Sequence, residues 1–237
     1  MITTYIRTLK VLAIGITIAL PFVANASDTL VEKDHYSGFL KDYSQLKEEK
    51  DAKGDKVMRY ISPKLTSGAY HKVMIDPVEF YPEPKPDKDV DSATLSQIKD
   101  YLGKELHQKI GEQAQVVNQP GPDVIRMRVA ITAVGAENAP LKPYQYIPFA
   151  FIAHTVMKAA GDAAMDAELY TEVEVLDSQS GERLGAVVRK GTGTEVEKVK
   201  EGAEKGEKMV TLDNVKPILD HWAELAADVV GSTLHGQ

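Results

Sequence analysis

The chain has 237 residues, of which 43% are apolar and 27% charged, which is typical of one soluble globular domain rather than a disordered protein. Its formal net charge of -7 argues against non-specific nucleic-acid binding, because binding to phosphates needs clustered Lys and Arg. The chain has no cysteine, which excludes disulfides, thiolate catalysis, and zinc or iron–sulfur sites with cysteine ligands.

The first 26 residues have the features of a secretory signal peptide. Two basic residues precede an apolar run, a proline and a small-residue site: Arg7, Lys10, Val11–Ala19, Pro21 and Ala24–Ala26. This pattern predicts cleavage between Ala26 and Ser27 and a periplasmic or secreted protein. The alternative is an uncleaved membrane anchor, because the apolar run with its flank reaches about the lower length limit for spanning.

After the signal peptide, residues 27–56 are predicted to form an N-terminal arm and residues 57–237 a single α+β domain. The arm is polar, but it has apolar residues that would dock onto the domain: Phe39, Leu40, Tyr43 and Leu46. Its charged end, Lys47–Lys56, is predicted to be a solvated loop.

The first convincing strand is predicted over Tyr70–Tyr81. It is apolar on both faces, with Val73 and Ile75 on one and, on the other, Met74, Val78 and Phe80. This pattern favours an interior position in the sheet. Asp76–Pro77 is predicted to interrupt the strand pairing, so that Asp76 is a turn or bulge residue rather than a catalytic carboxylate.

Two amphipathic helices are predicted, over Ser92–Ile110 and Asn214–Leu234. The first has one apolar stripe, formed by Leu95, Ile98, Leu102, Leu106 and Ile110, and Gly111 is its predicted terminator. The second buries a stripe formed by Val215, Ile218, Trp222, Leu225 and Val229. Stripes of this kind cover one face of a sheet.

Three further strands alternate apolar and polar residues, over Val124–Val134, Ala167–Leu176 and Arg183–Gly191. In the first, the predicted core-facing residues are Ile125, Met127, Val129, Ile131 and Ala133. In the other two, which form a hairpin, they are Leu169, Thr171, Val173, Val175, Leu184, Ala186 and Val188.

Charged residues on the opposite face of these strands have two interpretations. Arg126 and Arg128 fit either an anion site or a charge ladder with charged residues of the hairpin, which are Glu168, Glu172, Glu174, Arg183 and Arg189. The ladder is favoured, because opposite charges on neighbouring strands commonly pair.

The segment Ile147–Met165 is unusually apolar. It fits either a helix or flap that contacts a partner or a membrane, or a buried connection of small residues. The candidate contact residues are Phe149, Phe151, Ile152, Val156 and Met157.

No catalytic, metal-binding or cofactor-binding residues are predicted. The six histidines show no His-x-His or His-Glu-x-x-His spacing, and the Gly-x-Ser-x-Gly, Walker and dinucleotide fingerprints are absent. A Ser–His–Asp triad assembled from distant positions stays an alternative, because triads are spatial. We therefore expect a protein without a cofactor and without enzymatic activity.

Three segments, Ser37–Leu46, Tyr70–Val78 and Gln119–Arg128, resemble a bacterial family known as domain of unknown function 3313. The resemblance covers nearly the whole mature chain. It implies an envelope protein without known site residues, since the family is described as lipoproteins and has no established reaction. A lipoprotein needs a cysteine at the cleavage point, where this chain has Ala24–Ser27, so we expect a soluble exported form without a lipid anchor.

We predict an α+β two-layer sandwich in which the helices pack on a mixed, mainly antiparallel sheet. The leading function hypothesis is a non-enzymatic binding or assembly component of the cell envelope, with an envelope protein or the membrane surface as its partner. The alternative is a periplasmic hydrolase or small-ligand binder whose site is assembled from distant positions. No nucleic-acid partner is expected, and the sequence does not set the oligomeric state.

Overall fold

The structure, a computed structural model, describes residues 27–65, 68–84, 92–136, 166–195 and 210–235. The elements within these ranges are β1 (Ser27–Thr29), a 3₁₀ turn (Lys33–His35), β2 (Lys47–Lys50), β3 (Lys56–Ile61), β4 (Lys72–Ile75), β5 (Glu79–Phe80), α1 (Ser92–Gln113), β6 (Gln115–Val117), β7 (Val124–Ala136), β8 (Asp166–Asp177), β9 (Arg183–Glu195) and α2 (Leu212–His235). Within the same ranges, no helix has the length and apolar character needed to cross a membrane.

The nine strands of the described ranges form one sheet in the order β2-β3-β9-β8-β7-β4-β6, with β1 paired to β9 and β5 to β7. Pairing is antiparallel except that β4 and β5 run parallel to β7, and β4 runs parallel to β6. Helices α1 and α2 cover one face, here called the helix side, and residues 30–46 cover part of the other, here called the arm side. The predicted α+β sandwich with a mixed, mainly antiparallel sheet is confirmed.

Helix α1 buries the apolar stripe that its periodicity predicts, formed by Leu95, Ile98, Leu102, Leu106 and Ile110. The predicted terminator is wrong, because the helix continues past Gly111 to Gln113. The Ala114 N–H still donates to the Ile110 carbonyl at 2.8 Å, so helical hydrogen bonding runs through the glycine.

Helix α2 buries the first four residues of its predicted stripe, but Val229 is 39% exposed. The predicted stripe places Val215, Trp222 and Val229 seven residues apart, and an α-helix drifts by about 20° per seven residues. The drift turns Val229 away from the sheet and brings Val230 into the core instead.

A β-bulge in the β8–β9 hairpin changes which residues of β9 share a face. The strand register shifts between Val175 and Leu176. Leu184 therefore packs on the helix side, whereas Ala186 and Val188 belong to the arm-side core, contrary to their predicted common face. A slip of one residue reverses the facing of all that follows it in a strand.

A second register shift, in the β7–β8 pair, lies between Ile131 and Ala133. Beyond it Val134, rather than the predicted Ala133, is buried in the helix-side core. Ala133 is only partly buried and touches both cores.

The first predicted strand is two short strands, β4 and β5, so the predicted interruption at Asp76–Pro77 is confirmed. The break also restarts the alternation of side chains. Val78 is buried with Val73 and Ile75 on the helix side, and Phe80 packs against the same core, although both were predicted on the opposite face.

Residues 27–56 contribute two strands to the sheet, because β1 pairs with β9 and β2 pairs with β3. Lys47–Lys50, predicted as loop, is therefore an edge strand. Its side chains are all charged, and charge on an edge strand discourages pairing with other chains. Between β1 and β2, the residues Val31, Phe39 and Leu40 are buried in the arm-side core.

One hydrogen bond joins the two helices, and it should make the stability of the fold depend on pH in alkaline solution. The Tyr101 hydroxyl of α1 donates to Asp220 Oδ1 of α2 at 2.5 Å. Burial, then the hydrogen bond and the charge of Asp220, raise the pKa of Tyr101. A raised pKa stabilises the fold below the unfolded-state value near 10, and this stability is lost as the pH rises above it. We expect Tyr101→Phe to lower the free energy of unfolding by about 1 kcal/mol at pH ~8, since the pair is partly exposed.

Urea unfolding of both proteins between about pH 8 and 11 measures this difference, which should narrow above pH ~10. Tyr81→Phe, at an exposed position, is the control and should track the wild type. The inferred titration of the Tyr101 hydroxyl would be contradicted if the difference in unfolding free energy between wild type and Tyr101→Phe stayed constant over this pH range.

Candidate functional site

An apolar cavity of about 130 Å³, here called the α2 cavity, lies between the sheet and the helices, mostly against α2. The sheet contributes Val173, Val175 and Val187, and the helix contributes Trp222, Leu225 and Ala226. Short β-branched side chains on the strands face an alanine on the helix, so the two layers leave a space between them. An engineered apolar cavity of ~150 Å³ stays dry and binds benzene, so a space of this size can hold one ring or a short stretch of hydrocarbon chain.

Two exposed apolar side chains mark an opening of the α2 cavity. Ile61 of β3 and Val229 of α2 line the cavity and are 47% and 39% exposed. In the described ranges, only one other large hydrophobic residue, Tyr81, is exposed to this degree. Apolar side chains at a cavity entrance let a ligand reach the interior without passing charged groups.

A buried ion pair forms part of the lining of the α2 cavity. Arg189 Nη2 of β9 lies 3.5 Å from Asp51 Oδ2, and the side chains are only 10% and 4% exposed. Arg59 of β3 also lines the cavity, and both its Nε and Nη2 donate to Glu49 Oε2, at 2.8 and 2.6 Å. The lining of the cavity is thus mostly apolar and includes a few charged groups.

The arm side carries the predicted charge ladder. Its pairs are Arg126–Asp76 at 2.6 Å, Arg128–Glu174 at 2.8 Å and Arg183–Glu174 at 2.7 Å. The ladder interpretation is confirmed for Arg128, Glu174 and Arg183, whereas Arg126 pairs with Asp76, which lies outside the hairpin. Carboxylates hold both Arg126 and Arg128, so neither is placed to bind an anion. Asp76 is a structural residue, as predicted: it accepts two-pronged hydrogen bonds from Arg126, and it raises the pKa of that arginine. Arg189 lies apart from this ladder, on the helix side, because the β9 bulge changes its facing.

A buried carboxylate fastens the residues before β2 to the arm side of the sheet. Glu172 of β8 is fully buried and accepts hydrogen bonds from the Ser37 N–H at 2.7 Å, the Leu40 N–H at 3.4 Å and the Tyr43 hydroxyl at 2.6 Å. Burial, followed by this hydrogen bond to Glu172, raises the pKa of the Tyr43 hydroxyl. This contact is structural, because donors of the chain itself surround Glu172.

The candidate contact residues Phe149, Phe151, Ile152, Val156 and Met157 lie outside the described residues, as does Ala26. Ser27, the predicted first residue of the mature chain, begins β1 and pairs with Thr192.

The α2 cavity is a feature that the sequence analysis missed. Its lining was assigned correctly in part, since Val173, Trp222 and Leu225 were predicted to face the core. The only sequence signal for a gap is that small residues, Gly185 and Ala226, occur at core positions of both layers.

In the described part of the chain, one group of side chains has the ligand types and the spacing of a metal site. Ligand atoms of Asp51, Asp55 and His221 lie within 4.8 Å of one another. Asp51 and Asp55 belong to the turn between β2 and β3, and His221 belongs to α2.

Comparison with known proteins gives a family match and relatives of the same length. The family model described as "Protein of unknown function (DUF3313)" matches residues 35–226. The chain is 29% identical over 217 residues to the "Uncharacterized lipoprotein YdcL" of Escherichia coli (strain K12), and the match covers 92% of this chain and 95% of the relative. The protein of the same name from Escherichia coli O157:H7 matches with the same values.

Solved structures give weaker matches. The PelC dodecamer from Paraburkholderia phytofirmans is 11% identical and has a TM-score of 0.37, over 76% of this chain and 98% of that one. Protein XCC0632 from Xanthomonas campestris is 8% identical and has a TM-score of 0.34, over 74% and 87%. Likenesses at this level carry no argument about function.

Proposed function

The chain belongs to the DUF3313 family, and from this premise we propose that it is an exported cell-envelope protein that binds an apolar ligand without catalysing a reaction on it. The predicted signal peptide and the lipoprotein name of its relatives support the envelope location. The proposal combines two hypotheses from the sequence, namely a non-enzymatic binding protein of the envelope and a binder of a small ligand.

The observation that carries the proposal is the apolar lining of the α2 cavity. Interiors of folded domains are close-packed, with few voids larger than a water molecule, and an unfilled cavity lowers stability. A cavity of about 130 Å³ with an apolar entrance is therefore a feature that a ligand would explain. We propose that the occupant is the end of a hydrocarbon chain, which is the commonest apolar group in a cell envelope.

The shape of the α2 cavity supports one hydrocarbon end rather than a whole lipid. Its volume is below the ~300–1,000 Å³ typical of sites that enclose a drug-sized ligand. The remainder of a longer ligand would leave past Ile61 and Val229 into solvent or a membrane. The predicted contact segment, Phe149–Met157, stays a second proposal for where an envelope partner or the membrane surface binds.

Filling the α2 cavity should weaken ligand binding. The only tryptophan of the chain, Trp222, lines the cavity and reports on its occupant. We expect a medium-chain alcohol with bromine at its chain end to quench Trp222 fluorescence in a saturable titration. Ala226→Phe places a phenyl ring in the cavity, and we expect it to weaken binding at least tenfold, since a ring of that size needs nearly all of the space.

Ala93→Phe is the matched control, because it makes the same replacement at an exposed position of α1 and should bind like the wild type. Equal quenching of Ala226→Phe and wild type would place the ligand elsewhere. A wild-type titration without saturation would contradict the proposed binding function itself.

A further inference from the structure

The turn between β2 and β3 packs against α2 and brings three potential metal ligands together. Asp51, Asp55 and His221 come from parts of the chain that are about 170 residues apart, yet their ligand atoms lie within 4.8 Å of one another. The His221 Nε2 atom lies 3.4 Å from Asp55 Oδ2. The group joins two carboxylates and an imidazole, which are common ligands of zinc in proteins.

The turn holds the carboxylate of Asp51 in a defined position. The Asp51 N–H donates to the Asp55 carbonyl at 2.9 Å, and Asp51 Oδ1 accepts the N–H groups of Lys53 and Asp55 at 2.9 and 3.1 Å. Gly54 has a φ of +94°, which a side chain would disfavour, so the turn depends on glycine there. The second Asp51 oxygen, Oδ2, is the one that faces Arg189.

The second observation is a buried nitrogen without a hydrogen bond. His221 Nε2 is buried, and in the described part of the structure it has no hydrogen-bond partner, although it lies close to the Asp55 carboxylate. Buried polar atoms are nearly always paired, and an unpaired one calls for an explanation such as a bound ion. His221 Nε2 and Asp55 Oδ2 lie side by side at 3.4 Å, a separation that two ligands of one ion would have.

We propose that Asp51, Asp55 and His221 bind a zinc ion. In a tetrahedral site with metal–ligand distances of about 2.0–2.1 Å, neighbouring ligand atoms lie about 3.4 Å apart. The His221–Asp55 separation already has this value. The ligand atom that Asp51 offers lies within 4.8 Å of the other two, and zinc binding would draw it closer.

The charges of the site are consistent with a divalent cation. The two carboxylates carry two negative charges, and Arg189 beside Asp51 offsets one of them. Zinc would bridge the turn and α2 beside the α2 cavity, whose lining includes Asp51. The site does not depend on the proposed ligand, so either can fail without the other.

Zinc titration by calorimetry tests the site. The probe is zinc chloride added to the exported chain, purified without a histidine tag and freed of metal by a chelator. We expect one zinc ion per chain, and we expect Asp55→Asn and His221→Gln each to weaken binding at least tenfold, as losses around metal sites commonly do. His107→Gln is the control, because His107 is exposed and bonds within α1, and it should bind zinc like the wild type.

Thermal unfolding with and without zinc compares each protein with itself, so it tests zinc binding even where a variant is less stable than wild type. Zinc should raise the melting temperature of wild type and His107→Gln but not of His221→Gln. The inference is overturned if the wild type binds no zinc at a one-to-one ratio, or if His221→Gln binds as tightly as wild type. It is also overturned if His107→Gln loses as much affinity, since zinc would then bind surface histidines.

Discussion

Replacing Gly193 with alanine is expected to lower the free energy of unfolding by about 3 kcal/mol, at the upper end of what overpacking costs. Gly193 lies in β9 where the first turn of α2 crosses the strand. A Cβ atom at this position would come within 2.1 Å of the Asn214 carbonyl oxygen and 3.3 Å of Ile218 Cδ1. The carbonyl belongs to the backbone, so the whole start of α2 would have to move.

The start of α2 is not free to move away. Asn214 Nδ2 donates to the Glu195 carbonyl at 2.9 Å, and its Oδ1 accepts the Thr211 N–H at 2.9 Å. The bond to Glu195 ties the helix to the end of β9, so relief of the clash in Gly193→Ala would break it. Chemical denaturation of wild type and variant measures the loss.

Gly103→Ala is the control, with the opposite expected sign. Gly103 lies inside α1, where the new Cβ would make an ordinary contact of 3.7 Å with Val78 Cγ2. Alanine in a helix interior is favoured over glycine by roughly 0.5–1 kcal/mol, so this variant should be slightly more stable than wild type. If Gly193→Ala and Gly103→Ala changed the free energy of unfolding by the same amount, the inferred close contact between α2 and β9 would be contradicted.

Replacing Glu172 with glutamine is expected to cost about 3 kcal/mol and to release the segment before β2. The fully buried carboxylate accepts three hydrogen bonds from Ser37, Leu40 and Tyr43, and a glutamine would put an amide donor against these donors. Hydrogen bonds to charged groups contribute roughly 1.5–3 kcal/mol, and an unsatisfied buried donor adds a similar cost.

Limited proteolysis of the Glu172→Gln variant would reveal release of this segment, because cleavage after residues near Lys41 should become faster than in wild type. Glu182→Gln is the matched control: its ion pair with Lys64 is exposed, and it should leave both stability and cleavage nearly unchanged. Unchanged proteolysis in the Glu172 variant would contradict an anchoring role.

The elements of this fold are predictable from the sequence where the pattern is local. The apolar stripe of α1 follows from the 3.6-residue period alone, and its residues are the ones that the helix buries. The breaks in strand facing were missed, because a bulge such as that between Ile131 and Ala133 depends on the partner strand and not on the strand's own alternation.

The sites were not predictable, because each depends on contacts between distant residues. The α2 cavity arises where Val187 of β9 faces Ala226 of α2, and neither residue is unusual in its own segment. Likewise, the spacing of the histidines gives no sign of a metal site, because Asp51 and His221 meet only when the turn packs on the helix.

The most direct test of the proposed ligand is native mass spectrometry of the chain purified from the cell envelope, its proposed location. We expect the wild-type chain to carry a non-covalent apolar adduct, about one per chain, that organic solvent extracts. Ala226→Phe should lack this adduct, whereas Ala93→Phe should retain it. An adduct present equally in wild type and Ala226→Phe, or absent from all three proteins, would contradict a ligand in the α2 cavity.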